Sequence, residues 1–288
     1  MKKILTAVAA LTLLLSAGTA FSFDFDLEEA KAGYIDLSGT ISATGPESAF
    51  DASGINPEEV RELNEQVKEQ NYEAVIYEIN SGGGTVVASK EVMDEIDSMD
   101  IPTICRMRDV TASGAYLAAL GCDEIVADEG SMTGSIGVRS SYLEFSETLE
   151  RYGIEYINVS SGEFKGLGDP FQNTTEEDIA ALEQQASQIH TQFMDLVQDR
   201  RDLTDDQIAE VGDGSVMLGE DAKEKGLVDH LGRRQVSEDL AENATDKTLD
   251  FETVQTQESI DLFSLLTMDT MASILASPFN DAPLTAEI

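Results

Sequence analysis

Basic residues are scarce in this chain of 288 residues, which has 18 lysines and arginines against 56 aspartates and glutamates and a formal net charge of −38. A surface with so few cations argues against nucleic-acid binding, which depends on basic contacts to phosphates. It also disfavours adhesion to anionic lipid headgroups. The acidic residues are spread along the chain, which fits adaptation to a salty medium or a general solubility bias.

Histidine and cysteine are also rare. The two histidines, His190 and His230, lie in no metal-binding or triad motif, so we expect neither a metal nor another cofactor. The two cysteines, Cys105 and Cys122, are too few for a disulfide framework. Their apolar, strand-like surroundings favour buried small side chains, and a single bridge between them is also compatible with the sequence.

The apolar run near the N-terminus is short. It covers residues 4–15, follows two lysines and ends in a small-residue pattern at 18–20, as in a secretory signal. Such a run is shorter than the roughly 20 residues that a transmembrane helix needs. We therefore expect residues 1–22 to export the protein to the periplasm or another extracytoplasmic compartment. An uncleaved anchor that holds the protein at the membrane is the alternative, because aromatic residues extend the apolar character beyond this segment.

Strand and helix patterns alternate from residue 31 onward, which is typical of an α/β fold with ligands beyond the carboxyl ends of the strands. Two turns of small residues, at 82–84 and 112–114, fall at that edge. The sequence predicts a first strand and a turn within 31–42, further strands at 74–79, 101–107 and 124–127, and helices at 57–70, 85–99 and 114–120.

The second half of the chain continues with less regular signals. After residue 232 the pattern fades, and an apolar segment at 259–275 predicts a packing or oligomer helix in an acidic tail. We therefore divide the chain into a leader at 1–22, a domain at 31–232 and a tail at 233–288. The predicted elements of this half are helices at 142–152, 174–201, 204–211 and 220–226, and a strand at 155–159.

Ser113 begins a predicted helix directly after a strand, among small neighbours. A serine at this point lies beside unpaired N–H groups and the positive end of the helix dipole. Serine nucleophiles are commonly presented in this way, together with half of an oxyanion hole. For an isolated Ser-Gly pair, a helix N-cap is the more ordinary role.

A serine nucleophile also needs a base. Neither histidine lies at a strand-end turn, since His190 falls within a helix and His230 follows a helix end. Lys165 stands in a strand-end turn with few charged neighbours, and burial would favour its neutral amine. It is the best candidate base, although an isolated lysine is more often a solvated surface residue.

Five ordered motifs together resemble the signal peptide peptidase A family of serine proteases, over roughly residues 33–232. The resemblance implies an α/β Clp-protease/crotonase-like fold of repeated ββα/βα units with a long helical arm, and a Ser–Lys dyad. The motifs are NSGGG at 80–84, TASGAYLAALGCDEIVAD at 111–128, TGSIGV at 133–138, SGEFKGLGDPF at 161–171 and KGLVDHLG at 225–232.

The resemblance also implies roles for single residues. Ser113 corresponds to the nucleophile and Lys165 to the general base. Gly83, Gly84 and Gly114 correspond to the oxyanion hole. Ser135 resembles the residue whose hydroxyl helps to hold the lysine.

The resemblance further implies a serine endopeptidase that cleaves apolar peptide segments, such as remnant signal peptides. It implies a homo-oligomeric ring in which the serine and the lysine can come from neighbouring subunits. Two departures from the family pattern conserve the geometry: Gly82 replaces a proline before the two glycines, and Phe164 replaces a tyrosine before the lysine. A third is Gly166, which follows the lysine where the family has an acidic or small polar residue.

Three other interpretations remain open. A crotonase-type acyl-CoA enzyme shares the fold and the oxyanion turn, but it needs no Ser–Lys pair, and an exported protein has little access to CoA. A non-catalytic ring-forming scaffold would keep the fold with the dyad misaligned. A protease with a Ser-His triad of the Clp type would use His190 or His230.

Overall fold

The structure is a computed structural model that describes residues 30–44 and 54–255. The predicted leader at 1–22 and the predicted helix at 259–275 lie outside these residues. Within the described part of the chain, no helix combines the length and the apolar character needed to cross a membrane.

The described strands and helices follow one another in the alternating order that the sequence predicts. The strands are β1 Lys31–Ser38, β2 Thr40–Ile41, β3 Gly54–Ile55, β4 Ala74–Ser81, β5 Thr103–Ala112, β6 Glu124–Ala127, β7 Met132–Gly134, β8 Val216–Leu218, β9 His230–Leu231 and β10 Asp250–Thr253. The helices are α1 Pro57–Glu69, α2 Val86–Asp97, α3 Gly114–Ala119, α4 Ser146–Arg151, α5 Glu176–Arg201, α6 Asp205–Val211, α7 Gly219–Glu224 and α8 Arg234–Thr245, with a 3-10 turn at Glu163–Gly166.

A mostly parallel sheet forms the centre of the described domain, with the strand order β10-β1-β4-β5-β6-β9. All neighbours in this order run parallel. Strand β7 pairs with the end of β5 and, in the antiparallel sense, with β8. Parallel strands covered on both faces are rich in apolar residues, and β4 is accordingly buried along almost its whole length.

Helices cover both faces of the sheet. The larger apolar core lies on one face, where Ile35 and Tyr77 of the sheet meet Val92 of α2 and Tyr116 of α3. The smaller core lies on the other face, which α8 covers. Two buried tyrosine hydroxyls of the larger core are paired, since Tyr77 donates to Asn64 Oδ1 at 2.6 Å and Tyr116 to the Leu227 carbonyl at 3.0 Å. The core therefore fixes the sheet edge at which the predicted site lies.

Strand β5 is longer than predicted. The sequence predicts its end at Met107, but the strand runs to Ala112 because its last residues pair with β7. Ser113 is therefore the first residue after the strand and the last before α3. Ser113 alone forms the turn between the two elements.

Residues 139–175, which we call the arm, are poorly packed. Helix α4 covers only part of the predicted helix at 142–152, and the predicted strand at 155–159 is absent because no strand of the described chain lies beside it. None of the described residues from 137 to 192 is buried. Large apolar side chains are exposed along the arm, including Tyr152 at 77% and Val159 at 92%.

The domain extends beyond the predicted boundary at Gly232. Helix α8 packs on the sheet face formed by β4 and β5, and β10 adds a strand beside β1. The sequence pattern fades here because β10 is short and only half-buried, so it shows no apolar run. Residues 234–253 therefore belong to the folded domain, and the predicted tail begins after them.

Candidate active site

Ser113 has a backbone conformation that residues other than glycine rarely adopt, with φ 55° and ψ −125°. Its N–H donates to the Gly134 carbonyl at 2.9 Å, and its carbonyl accepts from the Leu117 N–H at 3.0 Å. The side chain makes no capping hydrogen bond, so the N-cap role is not observed. A strained strand-to-helix turn of this kind presents the nucleophile in known serine hydrolases.

The glycine turn after β4 packs directly against the start of α3. Gly83 has φ +96°, and a Cβ placed on it would lie 2.6 Å from the Gly114 nitrogen. A Cβ on Gly84 would lie 1.8 Å from the Ile41 carbonyl oxygen. Only glycine allows these two close approaches. The approach at Gly83 brings the turn against Gly114, the residue that follows Ser113.

Two amides of this arrangement lie close together. A Cβ on Gly114 would be 3.1 Å from the Gly84 nitrogen. Gly114 is in the first turn of α3, where N–H groups have no intrahelical acceptor, and the Gly84 N–H has no acceptor among the described residues. The Gly83 N–H, by contrast, donates to Ser81 Oγ at 3.0 Å. Of the three predicted oxyanion-hole residues, Gly84 and Gly114 therefore have amides available for a ligand.

Ser135 lies next to Ser113 across two paired strands. Ala112 of β5 pairs with Gly134 of β7, so each serine directly follows one member of the pair. Ser135 also has a positive φ, 51°, and its N–H donates to the Ser215 carbonyl at 2.7 Å. The structure thus brings the predicted lysine-orienting residue to the predicted nucleophile.

Two cavities meet at Ser113. The larger has a volume of about 590 Å³, and its wall includes Ser135, His190 and Asp213. The smaller has a volume of about 500 Å³, and its wall includes the apolar side chains of Leu117, Val138, Ile189 and Phe193 together with the glycine turn. The site therefore has a polar and an apolar compartment on either side of one serine.

Lys165 is not part of either compartment in the single chain. It lies in the 3-10 turn of the arm, its side chain is exposed, and it lines neither cavity at Ser113. Within the described residues its amine has no hydrogen bond or ion pair. One chain therefore brings together the predicted serines and glycines, and leaves the predicted base outside.

The two histidines have different surroundings. His230 contacts Glu124, with 3.0 Å between Nε2 and Oε2, at the far side of the sheet from β4. His190, on α5, lines the larger cavity with Ser113, and its Nε2 is buried without a hydrogen-bond partner among the described residues. Sequence reasoning considered His190 only as a rival base, because a histidine within a helix carries no signal of the cavity it faces.

Asp213 adds a carboxylate to the larger cavity. The Ser215 N–H donates to its Oδ1 at 2.8 Å. Hydrogen bonds from Ser215 hold the pKa of Asp213 below its ordinary value, so the group is ionised at neutral pH. The sequence contained no signal for this residue, which lies in a loop far along the chain from Ser113.

A disulfide bond links Cys105 of β5 to Cys122, just after α3, with the two Cα atoms 5.7 Å apart. Of the two possibilities that the sequence left open, the structure has the bridge. Its 17-residue span encloses Ser113, so the bond ties together the two elements that present this serine.

The comparisons with known proteins bear on the family and the fold of this chain. The sequence model of peptidase family S49 matches residues 95–248. Two relatives are Protease 4 of Haemophilus influenzae, 28% identical over 83% of this chain and 40% of that protein, and the chloroplastic serine protease SPPA of Arabidopsis thaliana, 32% identical over 67% of this chain and 29% of that protein. A protein of Methanocaldococcus jannaschii is 30% identical over 60% of this chain and 56% of its own length. The chain therefore spans 56% of the length of one of these three relatives and less than half of the other two.

Solved structures show the same fold. Two structures of the membrane-bound stomatin-specific protease 1510-N, one of them with a substrate peptide, match with a TM-score of 0.51 each. They are 12% and 14% identical to this chain and cover 80% and 84% of it, and the match extends over 99% and 100% of those chains. The chain has the Clp-protease-like α/β fold that the sequence predicts. It belongs to peptidase family S49.

Proposed function

We propose that this protein is a serine endopeptidase that cleaves apolar peptide segments, such as remnant signal peptides, with Ser113 as the nucleophile. The observation that carries the proposal is the strained Ser113, whose hydroxyl makes no hydrogen bond to any described residue, beside the neighbouring amides of Gly84 and Gly114. Leu117 and Phe193, in the wall of the smaller cavity, provide an apolar surface for the substrate.

In the proposed reaction, Ser113 Oγ attacks the carbonyl carbon of the scissile peptide bond. The negative charge that develops on the carbonyl oxygen is stabilised by the N–H groups of Gly84 and Gly114, each worth about 3 kcal/mol in a comparable protease. The Gly83 N–H has a different role, because its hydrogen bond to Ser81 Oγ holds the turn in place.

Lys165 is the proposed general base. Its neutral amine takes the proton of the Ser113 hydroxyl and later gives it to the leaving amine of the substrate. Water then attacks the acyl-enzyme, with the lysine again accepting the proton, and the peptide acid is released. A lysine is neutral at physiological pH only when it is desolvated, so Lys165 must leave the exposed position it has in the single chain.

We infer that a neighbouring subunit of a homo-oligomeric ring supplies Lys165. Leu143, Tyr152, Ile157 and Val159 expose apolar surface along the arm, which monomeric proteins rarely leave uncovered. Ser135 lines the larger cavity, where a lysine from outside would find a hydroxyl partner. Assembly would bury the arm and bring a lysine to each serine.

The proposed location is extracytoplasmic, with membrane association through residues 1–22. The bond between Cys105 and Cys122 supports this location, because disulfides persist mainly in oxidising compartments. The leader lies outside the described residues, so its cleavage is best measured by N-terminal sequencing of the mature protein.

The test is hydrolysis of a fluorogenic apolar peptide by the purified full chain. We expect Ser113→Ala and Lys165→Ala each to abolish hydrolysis while the oligomer remains intact by light scattering. The matched control is Lys68→Ala, which removes an exposed lysine from the last turn of α1. Near-normal activity of Lys165→Ala would contradict the dyad, and near-normal activity of Ser113→Ala would contradict the peptidase assignment.

A further inference from the structure

We propose that His190 and Asp213 form a polar subsite that binds a hydrogen-bond-donating side chain of the peptide substrate. The proposal rests on the peptidase function above and adds a specificity to it. The apolar cavity alone would accept any apolar segment of a peptide substrate. A second, polar compartment at the same serine would select where within such a segment the chain is cut.

The two cavities share the wall around Ser113 and differ beyond it. Gly82, Val138 and Ser113 line both. His190 and Asp213 line only the larger cavity, whereas Ile189 and Phe193 of α5 line only the smaller one. A peptide whose scissile bond lies at Ser113 can therefore place one side chain in each compartment.

Helix α5 contributes to both compartments over about two turns. Ile189 and Phe193, four residues apart, line the smaller cavity, and Ala186 and His190, also four residues apart, line the larger. Residues at this spacing lie above one another on a helix surface. The helix thus presents two large apolar side chains to one side of the serine and the imidazole of His190 to the other.

His190 has an unmet hydrogen bond. Its Nε2 is buried and has no partner among the described residues. Buried polar atoms in folded proteins almost always have a hydrogen-bond partner. Where the protein supplies none, a ligand or a water molecule can provide it. Asp213 stands in the same cavity as an ionised carboxylate, which accepts hydrogen bonds only. An imidazole nitrogen that carries no proton is also an acceptor, so the two side chains together favour a donor, such as the amide of a glutamine side chain.

Arg139, the other charged group of the larger cavity, does not favour a hydrogen-bond-donating side chain of the peptide, because a guanidinium only donates. Arg139 lines both compartments and is exposed. The apolar compartment contains Lys90, whose amine donates to Gln192 Oε1 at 3.0 Å. Acceptors for a donor side chain are therefore found at His190 and Asp213.

The experiment measures peptide binding to the assembled Ser113→Ala variant, which cannot turn over its ligand. The probes are fluorescein-labelled peptides of roughly ten alanines and leucines in which a single glutamine, or its near-isostere methionine, is moved along the sequence. We expect the glutamine peptide to bind about 5- to 10-fold more tightly than the methionine peptide at one position of the series. Adding His190→Ala or Asp213→Ala should reduce this preference to within about twofold and leave the affinity for the methionine peptide unchanged.

The matched control is His230→Ala, which removes the other histidine of the chain and should leave the preference intact. Asp213 is exposed, so Asp213→Ala tests the subsite even where His190→Ala impairs folding. The proposal is overturned when no position prefers glutamine, or when the preference survives both substitutions.

Kinetics of the active chain separate binding from catalysis. We expect His190→Ala to raise KM for the glutamine peptide and to leave kcat within about threefold of the parent. A fall of kcat to the level of Ser113→Ala would make His190 the general base and would overturn its assignment as a binding residue. Failure of the parent chain to hydrolyse any peptide would contradict the peptidase function, whereas hydrolysis without a His190-dependent preference would contradict only the subsite.

Discussion

Ser113 and Ser135 directly follow the paired residues Ala112 and Gly134 on two neighbouring parallel strands, and both have positive φ angles, 55° and 51°. Both line the larger cavity. Left-handed backbone is unfavourable for serine, so it persists only where the surrounding structure imposes it. Here two hydrogen bonds hold the serines in this conformation. The Ser113 N–H donates to the Gly134 carbonyl, and the Ser135 N–H donates to the Ser215 carbonyl.

Ser135→Ala tests the role of the second hydroxyl. We expect kcat to fall roughly 10- to 100-fold with little change in KM, because the hydroxyl orients the base and does not bind substrate. Steady-state kinetics with an apolar peptide measures both constants. Ser98→Ala, at the exposed C-terminal end of α2, is the control and should keep parental activity. An unchanged kcat in Ser135→Ala would remove this residue from the mechanism.

Gly84→Ala tests the glycine turn. The new methyl group would meet the Ile41 carbonyl at 1.8 Å, so the turn must move and carry its N–H away from the site. We expect kcat/KM to fall by about 100-fold or more, the usual effect of losing one oxyanion donor. Gly130→Ala is a fair comparison, since its Cβ would meet only Asp128 at 3.5 Å. Equal activity of the two variants would show that the Gly84 amide is not used.

The Cys105–Cys122 bond should stabilise the part of the fold that presents Ser113. A loop with a 17-residue span gives about 3 kcal/mol when it is closed by a disulfide. Unfolding in urea, with and without dithiothreitol, should therefore show a lower free energy of unfolding in the reduced protein. The double variant Cys105→Ala/Cys122→Ala should match the reduced protein and be insensitive to the reductant. Equal stability of the reduced and oxidised proteins would contradict the bond.

The ion pair between Arg201 and Asp229 predicts a dependence of stability on pH. Burial alone would raise the pKa of Asp229, but the hydrogen bonds and charge of Arg201 outweigh it and hold the pKa below its ordinary value. A carboxyl with a depressed folded-state pKa stabilises the fold above its unfolded pKa of about 4, and this contribution is lost as the pH falls further.

Asp229→Asn should therefore lower the free energy of unfolding by about 3 kcal/mol at pH 7, since it leaves a mostly buried guanidinium without its partner. The difference between parent and variant should shrink as the pH falls below 4, where the parent carboxyl takes up its proton. Urea unfolding of both proteins at a series of pH values measures this difference in the free energy of unfolding. A difference that stays constant from pH 7 to pH 3 would contradict the depressed pKa.

The elements around the site were predictable because their signals are local. Asn56 caps α1 through the Glu59 N–H, and Pro57 begins the helix, as the sequence indicates. Small residues on both sides of Ser113 likewise indicated a close approach of two backbones. Such features depend on neighbours a few residues away, which a single sequence displays.

The remaining features depend on contacts between distant residues. Strand β10 exists because it pairs with β1, and its own sequence, DFET, has no strand pattern. The arm has a strand-like sequence at 155–159 but no partner in the described chain. His190 lines the cavity of Ser113 because α5 packs against α3, which is far from it in the sequence. None of these relationships leaves a periodic signal in the sequence.

The most direct test of the account asks whether one subunit supplies Ser113 and another supplies Lys165. Ser113→Ala and Lys165→Ala chains, each inactive alone, are co-expressed, and the mixed oligomer is assayed with an apolar fluorogenic peptide. We expect about one quarter of the parental activity, because randomly assembled subunits place an intact serine beside an intact lysine at about a quarter of the interfaces. A mixed oligomer as inactive as its two components would contradict a site shared between subunits.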